Sequence, residues 1–324
     1  MIVCGAPLSS GSKHGGKIRY PTMSCMQPDL DIVIVTYNSR DVIGGLLDSL
    51  PAALDGLTAD VVVVDNGSTD GTAELVAERE GCRLVRSVNV GYAGGINRGV
   101  REAIPAEAIL VLNADVLLQA GSVLPLLEVL AEQDVGIVVP QIRSPQGTLD
   151  LSLRREPSLL RTLGLTSTKL AIFSEYVTKP IDYTCPRVVD WALGAVLLMS
   201  RKCYDALGGW DESYFLYSEE TDLLLRARDI GMLTRYEPRS VAVHIDGQSG
   251  RNHKTHSMQM INRVRLYRRR HGIIASWCYY GLLIVNELSW VMRGRRESWS
   301  SVTALLWPSR RPPELGCSER YMPS

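Results

Sequence analysis

Asp31-Ile32-Val33-Ile34-Val35-Thr36 is a short run that is apolar and β-branched between its polar ends, and Val61-Val62-Val63-Val64 repeats the pattern. Such runs suit strands buried on both faces of a parallel sheet, because a half-buried strand would alternate polar and apolar residues. Between them the spacing predicts a helix from about Asp41 to Leu50. After them come a helix over Ala73 to Arg79, a strand at Arg83 to Val85, a helix over Ala93 to Ala103 and a strand at Ile109 to Leu112. That rhythm is a βαβαβ series, so the fold class is α/β with right-handed crossovers. Ligands on such sheets gather at the carboxyl ends of the strands. The polar residues just after each strand are therefore the candidates: Thr36-Tyr37-Asn38, Asp65-Asn66-Gly67-Ser68 and Asn113-Ala114-Asp115.

Working outward, Ser122 to Gln133 reads as a helix and Gly136 to Pro140 as a strand. The stretch from Ser144 to Asp190 lacks periodicity and carries Pro145, Pro157, Pro180 and Pro186, so it is expected to be loop-rich and to face an acceptor. Trp191 to Ser200 reads as a buried strand, and Tyr217 to Gly231 as an amphipathic helix with Ser218 as N-cap and acids in its first turn. Ile273 to Val285 is apolar but short for a membrane span, and Asn286-Glu287 interrupts its extension to Met292.

The 324 residues, 45% of them hydrophobic, can bury one large core with a small appendage. Lysine plus arginine and aspartate plus glutamate are both 35, so net charge gives no case for a nucleic-acid partner. The seven cysteines are scattered and include no CxxC pair, which favours neither a disulfide framework nor a zinc site and fits a reducing, cytosolic setting. Residues 1–29 contain no apolar stretch long enough for a signal-peptide core and read as a disordered leader, with Met23 and Met26 as alternative starts.

Each motif alone admits a plain structural reading. Asp65 to Thr72 (DNGSTDGT) offers carboxylate and amide groups to a base or ribose, or forms an Asx-type turn and helix cap. Asn89 to Gly99 (NVGYAGGINRG) lets a helix start pack tightly or lets backbone approach a ligand. Its glycines are not in GxGxxG order and do not follow the first strand, which disfavours a hydride-transfer enzyme. Asp115 can hold a hard cation against a diphosphate, or cap a helix. His244, after the apolar run Val241 to Val243, is a further ligand or a structural histidine. Glu219, Glu220 and Asp222 are helix-capping acids, or include a carboxylate that takes the proton of an attacking hydroxyl.

In order, VTYN, VDNGSTDGT, NVGYAGGINRG, LNAD, WALGAVLLMSR, GGWDESYFLYSEETDLLLR and HIDGQSG followed by NR resemble the glycosyltransferase family 2 pattern, in particular its bacterial rhamnosyltransferase-like branch. The resemblance runs from about Asp31 to His271. It implies a GT-A type nucleotide-diphosphosugar transferase fold, a Rossmann-like and mostly parallel sheet flanked by helices. It also implies an inverting, metal-dependent transfer of a sugar, with rhamnose from dTDP-rhamnose the branch's own donor, to a saccharide or polyprenyl-linked glycan acceptor.

Carried over by residue, the resemblance puts Asp65 and Asn66 at the base and ribose with Thr36, Asn38 and Asn97 among the donor contacts. Asn113 and Asp115 stand at the metal and diphosphate, where Mg²⁺ or Mn²⁺ is bound by Asp115 and His244. Glu220 is the base, with Glu219 or Asp222 as alternatives. Trp191, Gly194 and Asp211 shape the pocket. The donor is a dTDP- or UDP-sugar, and bacterial cell-surface polysaccharide is the expected context. Residues 30–271 form the catalytic domain and 272–324 a helical tail. The tail's short apolar length and basic flanks, Arg268 to Arg270 and Arg293, Arg295 and Arg296, fit an interfacial helix on the inner face of the cell membrane. The rival readings are a sugar nucleotidyltransferase and a catalytically inert nucleotide-sugar-binding scaffold.

Overall fold

A computed structural model describes residues 27–165, 168, 170–245 and 252–315. The predicted leader up to residue 26 and the 246–250 part of HIDGQSG lie outside the described residues. Gln27 to Asp29, counted with the leader from sequence, belong to the domain edge: the Asp29 carboxylate accepts from the Thr58 backbone N–H at 2.7 Å.

The βαβαβ series is present. β1 (Leu30–Thr36), β2 (Ala59–Asp65), β3 (Arg83–Arg86) and β4 (Ala108–Asn113) are parallel and lie in the order β3-β2-β1-β4. The crossovers are α1 (Arg40–Leu54), α2 (Thr72–Ala77) and α3 (Gly91–Glu102). Every residue of β1 is buried, as a strand covered on both faces must be.

Beyond β4, among the described residues, the nine-stranded sheet becomes mixed. β5 (Val116–Leu118) lies at its far edge, and α4 (Val123–Leu130) leads into β6 (Val135–Arg143). The predicted strand from Trp191 to Ser200 is two strands broken at Leu193-Gly194. β9 (Trp191–Ala192) pairs with β7 (Leu153–Arg154) in a separate ribbon, whereas β10 (Val196–Ser200) inserts antiparallel between β4 and β6. β11 (Leu233–His244) runs parallel to β6, and β8 (Arg187–Val189) and β5 pair antiparallel to it. Sequence periodicity shows only the apolar end of β11, because Arg235, Glu237, Pro238 and Arg239 interrupt the pattern; a register shift between Glu237 and Val241 takes up the proline.

Two apolar layers sandwich the sheet. Ile32, Ile34, Leu110 and Leu112 pack with Ile43 and Leu46 of α1, while Val33, Val35 and Val111 pack with α3 and with α7 (Glu219–Asp229). A Cβ on Gly95 would come within 2.7 Å of Val35 and one on Gly99 within 2.4 Å of Val33, so the glycines of α3 bring that helix onto β1.

A third apolar cluster joins α8 (His253–Arg270), α9 (Ile273–Met292) and α10 (Arg296–Leu306) through Ile261, Val264, Tyr279, Leu283 and Leu305. α8 packs with α9 and α10 and also reaches the segment before α7, through Asn262 and Arg265. Tyr267 and Tyr279 stack with ring centroids 4.0 Å apart across the α8–α9 joint. Asn286-Glu287 interrupts the apolar run but not the helix: α9 is continuous, and Glu287 turns inward to meet the His256 Nε2 at 2.8 Å. Among the described residues no helix is long and apolar enough to cross a membrane.

Candidate active site

At the carboxyl ends of β1 and β2, three buried polar atoms have no partner: Thr36 Oγ1, Asp65 Oδ1 and Asn66 Oδ1. Their neighbours are fixed. The Asn66 backbone N–H donates to the Thr36 carbonyl at 2.9 Å, its side-chain amide donates to the Gly91 carbonyl at 2.9 Å, and Asp65 Oδ2 accepts from the Ser68 N–H at 3.1 Å. Asn38, at φ 52°, ties the two loops by accepting from the Thr69 N–H at 2.9 Å. In the glycine-rich turn Asp70 does the capping, accepting from the Thr72 N–H at 3.0 Å, and leaves Asp65 facing the crevice. Burying acceptors without donors is costly, so this cluster suits a ligand that brings N–H or O–H groups.

The next strand ends carry the second group. Asn113 Oδ1 accepts from the Tyr92 hydroxyl at 2.5 Å. Burial, and then the nearby carboxylates of Glu219, Asp115 and Glu220, hold the Tyr92 phenol well above its ordinary value. One aromatic side chain therefore stands among three acids, one from the β4–β5 turn and two from the start of α7. The buried Asp115 carboxylate meets the His244 Nε2 at 3.3 Å, because β5 and β11 pair His244 with Val116.

α7 supplies the third group, and its approach is strained. Tyr217 and Ser218 are both left-handed, at φ 68° and 70°, a conformation that costs about 1–3 kcal/mol per residue and needs surrounding support. Ser218 holds the N-cap position but makes no side-chain cap, contrary to expectation, because that backbone turns its hydroxyl away from the first turn. The support comes from two sides. The Tyr92 N–H donates to the Phe215 carbonyl at 2.9 Å, and Gly91 at φ 80° leaves no room for a Cβ, which would stand 2.4 Å from that same oxygen. From α8, the fully buried Asn262 donates to the carbonyls of Leu216 and Tyr217 at 2.9 and 3.1 Å, and Arg265 donates to Asn262 Oδ1 and to the Ser213 carbonyl.

The loop so held delivers Glu219 and Glu220, each with one buried carboxylate oxygen lacking a partner. Burial, then the charge of Glu220, keeps the Glu219 carboxyl well above the usual range; burial raises Glu220 too, against hydrogen bonds from backbone and the positive charge of Arg154. Glu220 is the less buried of the two. Arg154 is itself buried, with its guanidinium 3.9 Å over the Tyr176 ring. Asp222, one of the alternative bases, bonds Arg226 at 2.6 Å, and Arg226 also holds the Leu207 and Gly209 carbonyls.

Three expected contacts are committed elsewhere. The Asn97 amide is saturated by protein: its nitrogen donates to the Trp210 carbonyl and Glu212, and its oxygen accepts from the Trp210 N–H and the Tyr204 hydroxyl. It clamps α3 to the segment before α7 and has no capacity left for a donor. The Trp191 indole N–H donates to the Arg155 carbonyl at 2.9 Å, and Asp211 pairs with Arg269 at 2.5 Å. Gly194 does adjoin the site, against Glu220. Tyr92 and Arg154 were not singled out from sequence, and Asn262 was quoted only as part of the NR motif, with no role. Tyr92 lay within a segment read for its glycines, and the other two act through partners remote in the chain.

The model of glycosyl transferase family 2 matches residues 31–190. Over 246 residues the chain is 31% identical to the N-acetylglucosaminyl-diphospho-decaprenol L-rhamnosyltransferase of Mycobacterium tuberculosis, covering 70% of this chain and 77% of that one. It is 26% identical to the rhamnosyltransferase WbbL of Escherichia coli K12, covering 66% and 82%. Among solved structures, the mannosyltransferase PcManGT of Pyrobaculum calidifontis, in complex with GDP-Man and Mn²⁺, superposes with a TM-score of 0.53 at 18% identity, covering 90% of this chain and 83% of that one. That likeness shows the GT-A fold. The unpartnered strand-end acceptors and the buried acids thus sit within a sheet and a run of sequence shared with sugar-transferring enzymes, and the chain belongs to glycosyltransferase family 2, among its rhamnosyltransferase-like members.

Proposed function

We propose that the chain transfers a sugar with inversion, from a nucleotide-diphosphate donor to a hydroxyl of a saccharide or polyprenyl-linked glycan, with Glu220 as the base. The observation that carries this reading is the α7 start, where a strained and doubly braced loop holds a partly accessible carboxylate whose proton affinity burial has raised. A base so tuned accepts a proton near neutral pH more readily than an exposed glutamate. Attack by a hydroxyl that loses its proton to Glu220, on the face opposite the departing diphosphate, inverts the anomeric centre in one displacement.

Thr36, Asp65 and Asn66 are the proposed contacts to base and ribose, because their unpartnered atoms call for donors such as a pyrimidine N–H or a ribose hydroxyl. That chemistry suits a dTDP- or UDP-sugar, and rhamnose is the first sugar to try because two relatives are named for its transfer. The lipid-linked acceptor is likewise suggested by a relative named for a diphospho-decaprenol substrate, and it would put the enzyme on the inner face of the cell membrane.

Among the described residues no group of three His, Cys, Asp or Glu is assembled for a metal. Asp115 and His244 nonetheless offer one carboxylate and one imidazole side by side, and phosphate-bridging Mg²⁺ or Mn²⁺ takes only one or two protein carboxylates, with oxygens of the diphosphate and water completing its shell. The donor set fits, and a metal there would neutralise charge growing on the leaving diphosphate. Asn113, fixed by Tyr92, would orient the neighbouring sugar or phosphate.

The test is a panel of nucleotide sugars with Mn²⁺ or Mg²⁺ and a lipid-linked acceptor, read by nucleoside diphosphate release and by the anomeric configuration of the product. Transfer from one donor with inverted configuration is expected. Retained configuration would remove the single-displacement assignment of Glu220, and no nucleotide-sugar binding at all would remove the transferase reading.

A further inference from the structure

α9 is apolar on its outer face as well as on its inner one. Its buried positions are Ser276, Tyr279, Leu283 and Glu287, while its exposed positions carry Ile274, Trp277, Val285, Leu288 and Met292. At 100° per residue these five lie on one stripe, and they span most of a helix about 30 Å long. Ile274 is 79% exposed and Met292 82%. A surface helix of a monomeric soluble protein carries polar residues on its outer face. The one acid of α9, Glu287, is withdrawn to His256, so the outer stripe carries no negative charge.

Directly after the stripe come Arg293, Arg295 and Arg296, all exposed and, among the described residues, in no ion pair. Arg293 and Arg295 lie 4.9 and 3.9 Å from the Trp290 ring, which keeps their charge at the end of α9. α10, packed on α9, adds exposed Trp299, Leu306 and Trp307. Of the six tryptophans of the chain, Trp277, Trp290, Trp299 and Trp307 therefore fall in this helical tail. Tryptophan beside arginine at the margin of an apolar face is the composition that partitions at the headgroup level of an anionic bilayer.

We propose that the outer face of α9 seats in the interface of an anionic phospholipid bilayer, with Arg293, Arg295 and Arg296 against the lipid phosphates. The proposal deepens the lipid-linked acceptor reading, resting on it for purpose while its evidence is separate. The inner face of the same helix, through Leu283, Asn286 and Glu287, lines an open pocket of about 140 Å³ together with Arg161, Glu175 and Arg263. Tyr176 also lines that pocket and carries Arg154, whose charge acts on Glu220. A helix is about 10 Å across, so docking by α9 brings this arginine-lined pocket close to the bilayer.

The experiment is co-sedimentation of the full chain with vesicles of phosphatidylcholine alone or with about 30% phosphatidylglycerol, containing no sugar lipid. Partitioning to the anionic vesicles is expected. The combined variant Trp277→Gln, Val285→Gln, Met292→Gln should weaken it at least tenfold. Arg293→Gln with Arg295→Gln and Arg296→Gln should remove the preference for anionic lipid, with about a hundredfold loss as the ceiling for three cations. Thermal melting and nucleotide binding check that both variants fold. Absence of wild-type binding to either vesicle, or unaltered binding by both variants, overturns the proposal. So does light scattering that shows a wild-type dimer which the apolar variant dissociates without losing lipid binding, since the face would then join two copies. Because no donor or acceptor is present, failure here is distinct from failure of the transferase reading.

Discussion

A Cβ built on Gly194 would stand 3.1 Å from the Cβ of Glu220 and 3.4 Å from its Cγ. The break between β9 and β10 is thus one wall of the slot that holds the proposed base, and glycine is what lets the two segments close on each other. Gly194→Ala forces Glu220 to move by a few tenths of an ångström. Since misplacement by about 1 Å can cost about a hundredfold, we expect kcat to fall by about threefold to tenfold with donor KM and melting temperature little altered. Steady-state kinetics and a thermal melt check it.

Glu219 and Glu220 are separable by pH. Glu220→Gln should lower kcat by about 10²- to 10⁴-fold, the usual contribution of a general base, and leave donor affinity intact. In the wild type, kcat should rise with pH through an apparent pKa above the ordinary carboxylate range, because burial raises Glu220.

Glu219, buried and raised further by its neighbour's charge, predicts a stability effect instead. Its folded-state pKa exceeds the unfolded one, so the folded chain binds more protons between the two. Stability is therefore lost as pH climbs from about 4.5 through the raised value. Glu219→Gln should match the wild type in melting temperature near pH 4.5 and exceed it at pH 8. Melts across that range decide it; an equal difference at both pH values would mean that the carboxyl does not titrate there.

The strands that form the first half of the sheet were legible because β1, β2 and β4 are buried on both faces and their sequences are simply apolar. The strand-end rule then pointed to Thr36, Asp65, Asn66 and Asp115 without any structure. The strand β10 was legible as a strand but not in its direction, since periodicity carries no orientation and its antiparallel entry depends on the long return through 144–190. Asn97 resembles a ligand contact in sequence, yet its four hydrogen bonds go to Tyr204, Trp210 and Glu212, more than 100 residues away. Asn262 stands in the NR motif that follows HIDGQSG, but its role is illegible there for the same reason. Its two acceptors are backbone carbonyls about 45 residues earlier, and no pattern in the sequence marks a carbonyl.

That side chain gives a fourth prediction. Asn262→Ala strips the donors from the Leu216 and Tyr217 carbonyls, which costs about 1–3 kcal/mol for each buried group left unpaired. It also frees two residues held at positive φ to relax. We expect kcat to fall by about tenfold or more at unchanged donor KM, with the apparent pKa of kcat moving back toward the ordinary carboxylate value as the α7 start loosens. Leu305→Ala, on α10 in the same helical cluster, is the control. It should destabilise comparably and leave the pH profile in place, which separates positioning from stability.

The fifth prediction concerns Asp115 and His244. If the pair holds the divalent ion, removing the carboxylate removes both a ligand and a negative charge beside the diphosphate. Asp115→Asn should then abolish metal-dependent turnover while metal-free nucleotide binding through Thr36, Asp65 and Asn66 persists. His244→Gln keeps Asp115 and should instead raise the Mn²⁺ concentration needed for half-maximal activity by about 10- to 100-fold, with recovery at high metal. Calorimetry of nucleoside diphosphate binding with and without Mn²⁺ reads the same pair independently of turnover. In the wild type the ion should tighten binding, and in Asp115→Asn it should not. Equal tightening in both variants would place the ion on the diphosphate alone and return Asp115 and His244, 3.3 Å apart, to a structural pairing at the β5–β11 edge.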